Sequence, residues 1–391
     1  MASRDIKDFI SGVLAQIETE MFGLTEIIKL SLVALYTGGH VLLEGNPGLG
    51  KTELVKKMGK VLDLPFRRIQ FTPDLLPSDI TGTYVPDFKG DAPTRLAFQP
   101  GPIFTSLLLA DEINRATPKT QSAMLEAMGE RQVTVLGERY ELQTPFMVLA
   151  TQNPIDHEGT YALPAAQSDR FLFKITMPVP DVDTLGRILR KTAGEGADGG
   201  EKDIKEESSR PLPKAPKDIF MIIHERIKKV KPLPSLERHI LNMILASNRR
   251  FNDLEGLDRN QAKRLEDLVN GLMTYGLGPR AATALMLGAK AWSLMFLPSA
   301  ENAEGPGLAR VVLPALRHRV SLHFGWKSTY LKMTDKKQDL REDSPQDGLL
   351  EQMVMDFCLA AAPRTKPYTL EYGHTVEGPL RKVVELSQKS S

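Results

Sequence analysis

Residues Gly45-Asn46-Pro47-Gly48-Leu49-Gly50-Lys51-Thr52 follow the pattern G-x-x-x-x-G-K-[ST]. Glycines in such a loop let successive backbone amides turn inward around a phosphate, and the helix that follows aims the positive end of its dipole at the same point. Lys51 is placed to reach the outer phosphates and Thr52 to ligate magnesium through its hydroxyl. A second reactive pair, Asp111-Glu112, closes the apolar run Leu107-Leu108-Leu109-Ala110. Neighbouring side chains on a strand point to opposite sides, so the spacing gives the two acids separate tasks. Asp111 is suited to the water shell of magnesium and Glu112 to orienting an attacking water. Standing alone, two acids at a strand end could simply face solvent; downstream of a phosphate loop they read as its complement.

Three more polar residues could complete the site. Asn153, in Gln152-Asn153-Pro154 after the apolar run Phe146 to Ala150, carries an amide able to hold a water and a terminal phosphate together. It could equally be a turn residue before proline. Arg170, in Asp169-Arg170-Phe171, and Arg280, in Gly278-Pro279-Arg280-Ala281, could each neutralise charge on a terminal phosphate in the transition state. A solvated surface position or a helix-end ion pair is the alternative for either. No [NT]-K-x-D guanine-reading sequence follows the loop, which argues against a GTPase-like switch.

These residues need a scaffold, and the pattern supplies one. Helical spacing from Ile6 to Tyr36 gives way at Gly38-Gly39 to the short apolar run Val41 to Leu43. Similar runs at Arg68 to Phe71, Leu107 to Ala110, Phe146 to Ala150 and Phe171 to Met177 alternate with helical segments such as Thr52 to Leu62 and Lys119 to Glu130. That alternation predicts a parallel sheet covered on both faces. Asp74 to Arg95, rich in proline, glycine and aspartate, reads as an irregular insertion, and Arg131 to Leu142 as a hairpin turning near Gly137-Glu138. Gly194 to Pro216 has almost no large apolar residues and reads as a linker or flexible loop. Beyond it almost every long segment has a helical period, apart from the polar and poorly patterned stretch Trp326 to Ser344, with a last helix expected at Pro379 to Gln388. The predicted division is a nucleotide-binding core at 1–193, a linker at 194–218, a helical domain at 219–323 and a partly helical extension at 324–391.

Composition narrows the partners. With 50 lysines and arginines against 49 acids in 391 residues, no global field draws the chain to nucleic acid or an anionic membrane. The basic clusters Arg67-Arg68, Lys228-Lys229-Lys231 and Arg249-Arg250 read as solvated faces, with a local groove as the alternative. The single cysteine, Cys358, excludes an internal disulfide and a cysteine-rich metal site and fits a reducing compartment. Met1 to Ile10 lacks the apolar run of a signal peptide, and the longest apolar stretch, Ile27 to Leu43, carries Lys29 and is too polar to span a bilayer. The expectation is a soluble, cytoplasmic protein without membrane insertion.

Taken in order, the motifs resemble the AAA+ ATPases and, within them, the MoxR family. The resemblance rests on Gly45 to Thr52, Gln70 to Asp79, Gly101-Pro102-Ile103-Phe104, Leu107 to Arg115, Pro118-Lys119-Thr120-Gln121, Gln152-Asn153-Pro154, Asp169-Arg170-Phe171-Leu172, Pro279-Arg280-Ala281 and Leu316-Arg317-His318-Arg319. It implies an α/β P-loop NTPase core with a parallel sheet, followed by a smaller all-α lid. It also implies ATP and Mg2+ as ligands and a homo-oligomeric ring, usually a hexamer, with ATP between subunits. Lys51 and Thr52 then match the Walker A positions, Asp111 and Glu112 the Walker B pair, Asn153 sensor 1, Arg170 the arginine finger and Arg280 sensor 2. Met21-Phe22-Gly23 matches the segment that packs on adenine, with plain core packing the alternative from the residues themselves. The insertion and the hairpin would line or cap the ring pore. The implied work is remodelling or chaperone-like maturation of a client protein, often with a von Willebrand factor A domain partner that carries a metal site. A nucleic-acid motor or a chelatase-type ATPase subunit is the nearest rival. The chain departs from the family pattern in the Gly194 to Pro216 loop, in the longer Asn252 to Leu265 connection, and in the tail after Arg319, for which the family offers no role.

Overall fold

The computed structural model describes residues 2–87, 95–153, 160–192, 218–298, 302–303, 305–334 and 346–364. The predicted linker Gly194 to Pro216, the tip of the insertion and the predicted helix Pro379 to Gln388 lie outside the described residues. The chain divides into two compact units, Met1–His224 and Glu225–Ser391.

In the first unit, helices α1 (Ser3–Glu18) and α2 (Thr25–Thr37) lead into strand β1 (Val41–Glu44), then α3 (Lys51–Leu62) and β2 (Phe66–Gln70). A short α4 (Pro77–Thr81) opens the hairpin β3 (Gly82–Asp87) and β4 (Arg95–Pro100). Next come β5 (Leu107–Asp111), α5 (Pro118–Glu130), the hairpin β6 (Gln132–Val135) and β7 (Glu138–Glu141), and β8 (Met147–Gln152). The unit continues with α6 (Ala165–Ser168), β9 (Phe173–Thr176) and α7 (Val182–Thr192). Strands β2-β5-β8-β1-β9 form one sheet in that order, and every pairing in it is parallel.

Burial on both faces explains why these strands read as unbroken apolar runs. Leu42, Leu108, Ala110, Val148 and Ala150 pack with Met124, Leu125 and Met128 of α5 on one side. The alternate residues Val41, Leu43, Leu107, Leu109 and Leu149 are buried as well; they face the other layer, where Leu107 meets Gly59 of α3. Strand β2 starts two residues earlier than its apolar pattern suggests, because it is an edge strand whose Arg67 and Arg68 are exposed. In register, Gln70 of β2 stands beside Asp111 of β5, and Glu44 of β1 beside Gln152 of β8. Polar residues of four strands therefore line the carboxyl edge, where ligands bind in open α/β sheets.

His40, just before β1, ties three elements together. Its Nδ1 accepts from the Val148 amide at 3.0 Å and its Nε2 donates to the Met128 carbonyl at 3.1 Å. Burial lowers its pKa to about 4, so the ring is neutral at pH 7.

The β6–β7 hairpin turns at Leu136 and Gly137, both with positive φ (49° and 87°). It is clasped to the β3–β4 hairpin. Phe98 stacks on Tyr140 with ring centroids 4.0 Å apart, and the Tyr84 and Tyr140 hydroxyls, 2.6 Å from each other, both reach Glu138 Oε2, at 2.8 and 2.9 Å.

The second unit is mainly helical, with Pro234–Ser247, Arg259–Leu272, Pro279–Phe296 and Gly305–Leu316 as its longer early helices. The described part of the tail is built into this unit. Helix Gln346–Ala360 contributes buried Met353, Val354, Phe357 and Cys358. The Tyr330 hydroxyl donates to Asp356 at 2.7 Å, and His239 Nε2, on a ring kept neutral by burial, donates to the Cys358 carbonyl at 2.7 Å. Arg317, 8% exposed, pairs with Glu351 of the same helix.

Candidate functional site

After Glu44 the chain makes a tight loop in which Gly48 and Gly50 take φ of 84° and 78°. These left-handed conformations are cheap only for glycine, and they bring the first turn of α3 round to face the loop. Lys51, the first residue of that helix, donates from Nζ to the Gly45 carbonyl at 2.5 Å. Burial lowers the pKa of the ammonium, and the carboxylates of Asp111, Glu112 and Glu44 oppose that shift. Beside the loop lies a cavity of about 320 Å³ lined by Pro47, Gly48, Gly50, Lys51, Thr52, Glu53, Asp111, Glu112 and Asn153. That volume is typical of a small-molecule site.

The two acids both line this cavity but have different partners. Asp111 Oδ1 accepts from the Thr151 hydroxyl at 2.6 Å, while Oδ2 accepts from Arg68 Nη2 at 2.7 Å and Nε at 3.2 Å. Glu112 Oε2 accepts from Gln70 Nε2 at 2.7 Å and pairs with Arg115 Nε at 3.2 Å. Strand alternation places the two carboxylates on opposite sides, and the structure departs from that expectation. Glu112 leaves β5 in the left-handed conformation, φ 57° and ψ 48°, so its side chain escapes the alternation and joins Asp111 at the cavity. A non-glycine residue in that region carries backbone strain of about 1–3 kcal/mol. Thr151 fixes the junction, because its hydroxyl oxygen also accepts from the Glu112 amide at 2.9 Å.

The loop after Glu112 is held from α5. Gln121 Nε2 donates to the carbonyls of Ile113, Ala116 and Tyr161 at 3.1–3.3 Å, and the Thr120 hydroxyl donates to the Leu75 carbonyl at 2.7 Å. Glu44, nearly buried at the end of β1, accepts from Gln152 Nε2 at 2.5 Å and pairs with Lys174 Nζ at 2.9 Å.

The other sequence candidates fall elsewhere. Asn46 and Leu49 shape the loop without lining the cavity, and Gly45 supplies the lysine acceptor. Met21 Cε lies 3.5 Å from where a side chain on Gly50 would begin, Arg187 stacks 4.2 Å over the Phe22 ring, and Gly23 turns with φ 73°. None of these three lines the cavity. Arg170 packs against α5, where its Nη1 donates to the Leu125 carbonyl, and it too is outside the cavity lining. Arg280 is an exposed residue in the first turn of Pro279–Phe296, in the second unit. The site residues that sequence reasoning missed are Arg68, Gln70 and Thr151 as partners of the acids, and Lys174 as partner of Glu44.

The donors at hand suit one class of metal. Thr52 and Asp111 offer oxygen only, and among the described residues no histidine or cysteine lines the cavity. A hard cation that keeps several waters and shares phosphate oxygens, as magnesium does, fits such a set.

The matching family model is described as the ATPase family associated with various cellular activities (AAA), and it covers residues 40–173. YeaC of Bacillus subtilis is 38% identical over 295 residues, which is 74% of this chain and 81% of YeaC. Chaperone MoxR1 of Mycobacterium tuberculosis is 45% identical over 181 residues, 46% of this chain and 47% of its own length. The match thus spans about half of that chaperone. A solved structure from Cytophaga hutchinsonii, assigned as an ATPase, superposes with a TM-score of 0.71 at 32% identity, covering 90% of this chain and 96% of that one.

Proposed function

Because this chain belongs to the MoxR family of AAA+ ATPases, we propose that its ATP hydrolysis is completed between subunits of a homo-oligomeric ring, hexameric in the usual AAA+ manner, and drives the maturation or remodelling of a client protein in the cytoplasm. The observation that carries this reading is the separation of the site's parts. Lys51, Thr52, Asp111, Glu112 and Asn153 line one cavity, whereas Arg170 is held against α5. An arginine finger that serves a neighbour has to sit away from its own phosphate loop, and Arg170 meets that requirement.

Within the cavity, the loop amides and Lys51 hold the phosphates, and Asn153 with Glu112 orients the attacking water. Glu112 is the general base, and Gln70 aims its carboxylate. Thr52 and Asp111 would hold Mg2+, which supplies charge neutralisation across the outer phosphates when bound. Met21, Phe22 and Gly23 are assigned to the adenine, and Arg280 to sensing the nucleotide. A von Willebrand factor A domain protein is the partner we would look for first.

The nucleic-acid alternative rests on basic clusters, and four of their seven cations are engaged within the chain. Arg68 pairs with Asp111 and Lys228 with Glu225, Arg249 donates to the Met273 carbonyl, and Arg250 pairs with Asp253. Four engaged cations favour the reading of solvated, locally paired faces over a groove for phosphate backbones.

Mixing subunits tests the proposal. Arg170→Ala and Lys51→Ala chains, each inactive alone, should regain ATPase activity when combined, since each supplies what the other lacks. Activity that stays at background across all mixing ratios removes the shared site.

A further inference from the structure

Asp111 Oδ2 already has a cationic partner. Arg68 reaches it with both Nε and Nη2, at 3.2 and 2.7 Å, and Nη2 also donates to Gln70 Oε1 at 2.5 Å. The pair is not a bystander on the surface. Asp111 is only 16% exposed at its side chain, its other oxygen is committed to the buried Thr151 hydroxyl, and the carboxylate lines the nucleotide cavity. Oδ2 accepts two bonds from Arg68 and Oδ1 one from Thr151, so one of the carboxylate's roughly four acceptor positions is left, and a magnesium water shell that takes more than that one draws on the oxygen Arg68 occupies.

We propose that Arg68 and magnesium compete for Asp111 Oδ2, so that Arg68 is a positioning residue which releases Asp111 when Mg2+-nucleotide enters and recaptures it when product leaves. This rests on the assignment of Asp111 to the magnesium site. Arg68 has the freedom the exchange requires, since it lies on an edge strand with its side chain 46% exposed. Gln70 extends the device to the second acid. Its Oε1 accepts from Arg68 while its Nε2 donates to Glu112, so the amide is gripped from both ends while Arg68 holds Asp111. Two effects then oppose magnesium: an ion pair is broken on entry, and a guanidinium charge stands close to the incoming dication.

The test reads affinity rather than turnover. The full chain is titrated with a fluorescent ADP analogue in excess Mg2+ and again in EDTA, and the ratio of the two dissociation constants measures how much magnesium strengthens binding. Arg68→Ala should raise that ratio by up to about fivefold, the upper end of what a partly exposed ion pair contributes, and Arg68→Lys, which keeps a cation within reach, should return it toward wild type. Arg68→Gln removes the charge but keeps a polar side chain and serves as a second neutral variant should the alanine form prove unstable. An unchanged or lower ratio in both neutral variants overturns the competition, as does equal weakening with and without magnesium, which would make Arg68 an ordinary phosphate contact. A wild-type ratio near one would instead remove Asp111 from the magnesium site, so the two failures are told apart.

Discussion

Thr151→Val is the perturbation that most directly probes how the acids are held. Valine has nearly the shape of threonine, and the site is 1% exposed, so the change removes a hydroxyl without opening a cavity. Two bonds are lost. Asp111 Oδ1 loses a 2.6 Å donor, a charge-assisted bond worth about 1.5–3 kcal/mol. The Glu112 amide loses its 2.9 Å acceptor, and an unsatisfied buried amide costs about 1–3 kcal/mol. The terms share one oxygen and do not add fully, so a stability loss of about 3 kcal/mol for the first unit is expected in urea denaturation. Turnover should fall by at least about tenfold, because a strained Glu112 held by no acceptor relaxes from its left-handed conformation and the general base moves. ATP affinity should change far less, since no phosphate contact is touched. Thr151→Ser keeps the hydroxyl and should recover most of both losses. A valine variant within about 0.5 kcal/mol of wild type and with unaltered turnover would refute the role given to this side chain.

Further outcomes follow from the same geometry. Lys51→Ala should abolish nucleotide binding, whereas Glu112→Gln should keep ATP bound while turnover falls by about 10²–10⁴, the worth of a general base; equal turnover in the second variant would remove Glu112 from that role. Stability should depend on pH through His40 and His239, whose pKa values burial lowers from the ordinary 6.5 to about 4 in the folded chain. Between those values the unfolded chain binds more protons, so stability rises with pH across that window, is complete above it, and is reduced at pH 4 by up to about 3 kcal/mol per histidine. His40→Gln should flatten the acid limb of unfolding for the first unit, and a slope identical to wild type would show that the buried ring does not set it.

The legible part of this chain was the part whose chemistry is contiguous. A phosphate loop has to place its glycines, lysine and hydroxyl within one turn, and the buried strands have to be apolar on both faces, so Gly45 to Thr52, β1, β5 and β8 stand out in sequence. The partners of the acids are contacts between strands far apart in the chain. Arg68 and Asp111 are 43 residues apart and Thr151 and Asp111 are 40, and no local pattern joins them. Arg68 was further hidden because an exposed edge strand resembles a basic surface cluster. Glu112 misled for another reason: strand alternation describes residues inside a strand, and its positive φ puts it just outside. The tail was opaque because Arg317, part of a recognisable motif, finds its counter-charge in Glu351, across a stretch of polar sequence without a helical period.

The arrangement of tethers carries a mechanical consequence. Each acid has a fixed hold and an exchangeable one. The fixed hold is Thr151, buried on the central strand β8, which grips Asp111 by its side chain and Glu112 by its backbone. The exchangeable holds, Arg68 and Gln70, both belong to β2, the edge strand of the sheet. Beyond β2 the chain runs through α4 into the β3–β4 hairpin, and that hairpin is clasped through Tyr84, Phe98, Tyr140 and Glu138 to the β6–β7 hairpin, whose far end leads into β8 and Asn153. A change of partner at β2 and a displacement at Asn153 therefore act on the same pair of hairpins from opposite sides. The aromatic clasp joins the two hairpins, so the exchange of partners proposed for the acids would be passed to one joint element instead of being divided between two.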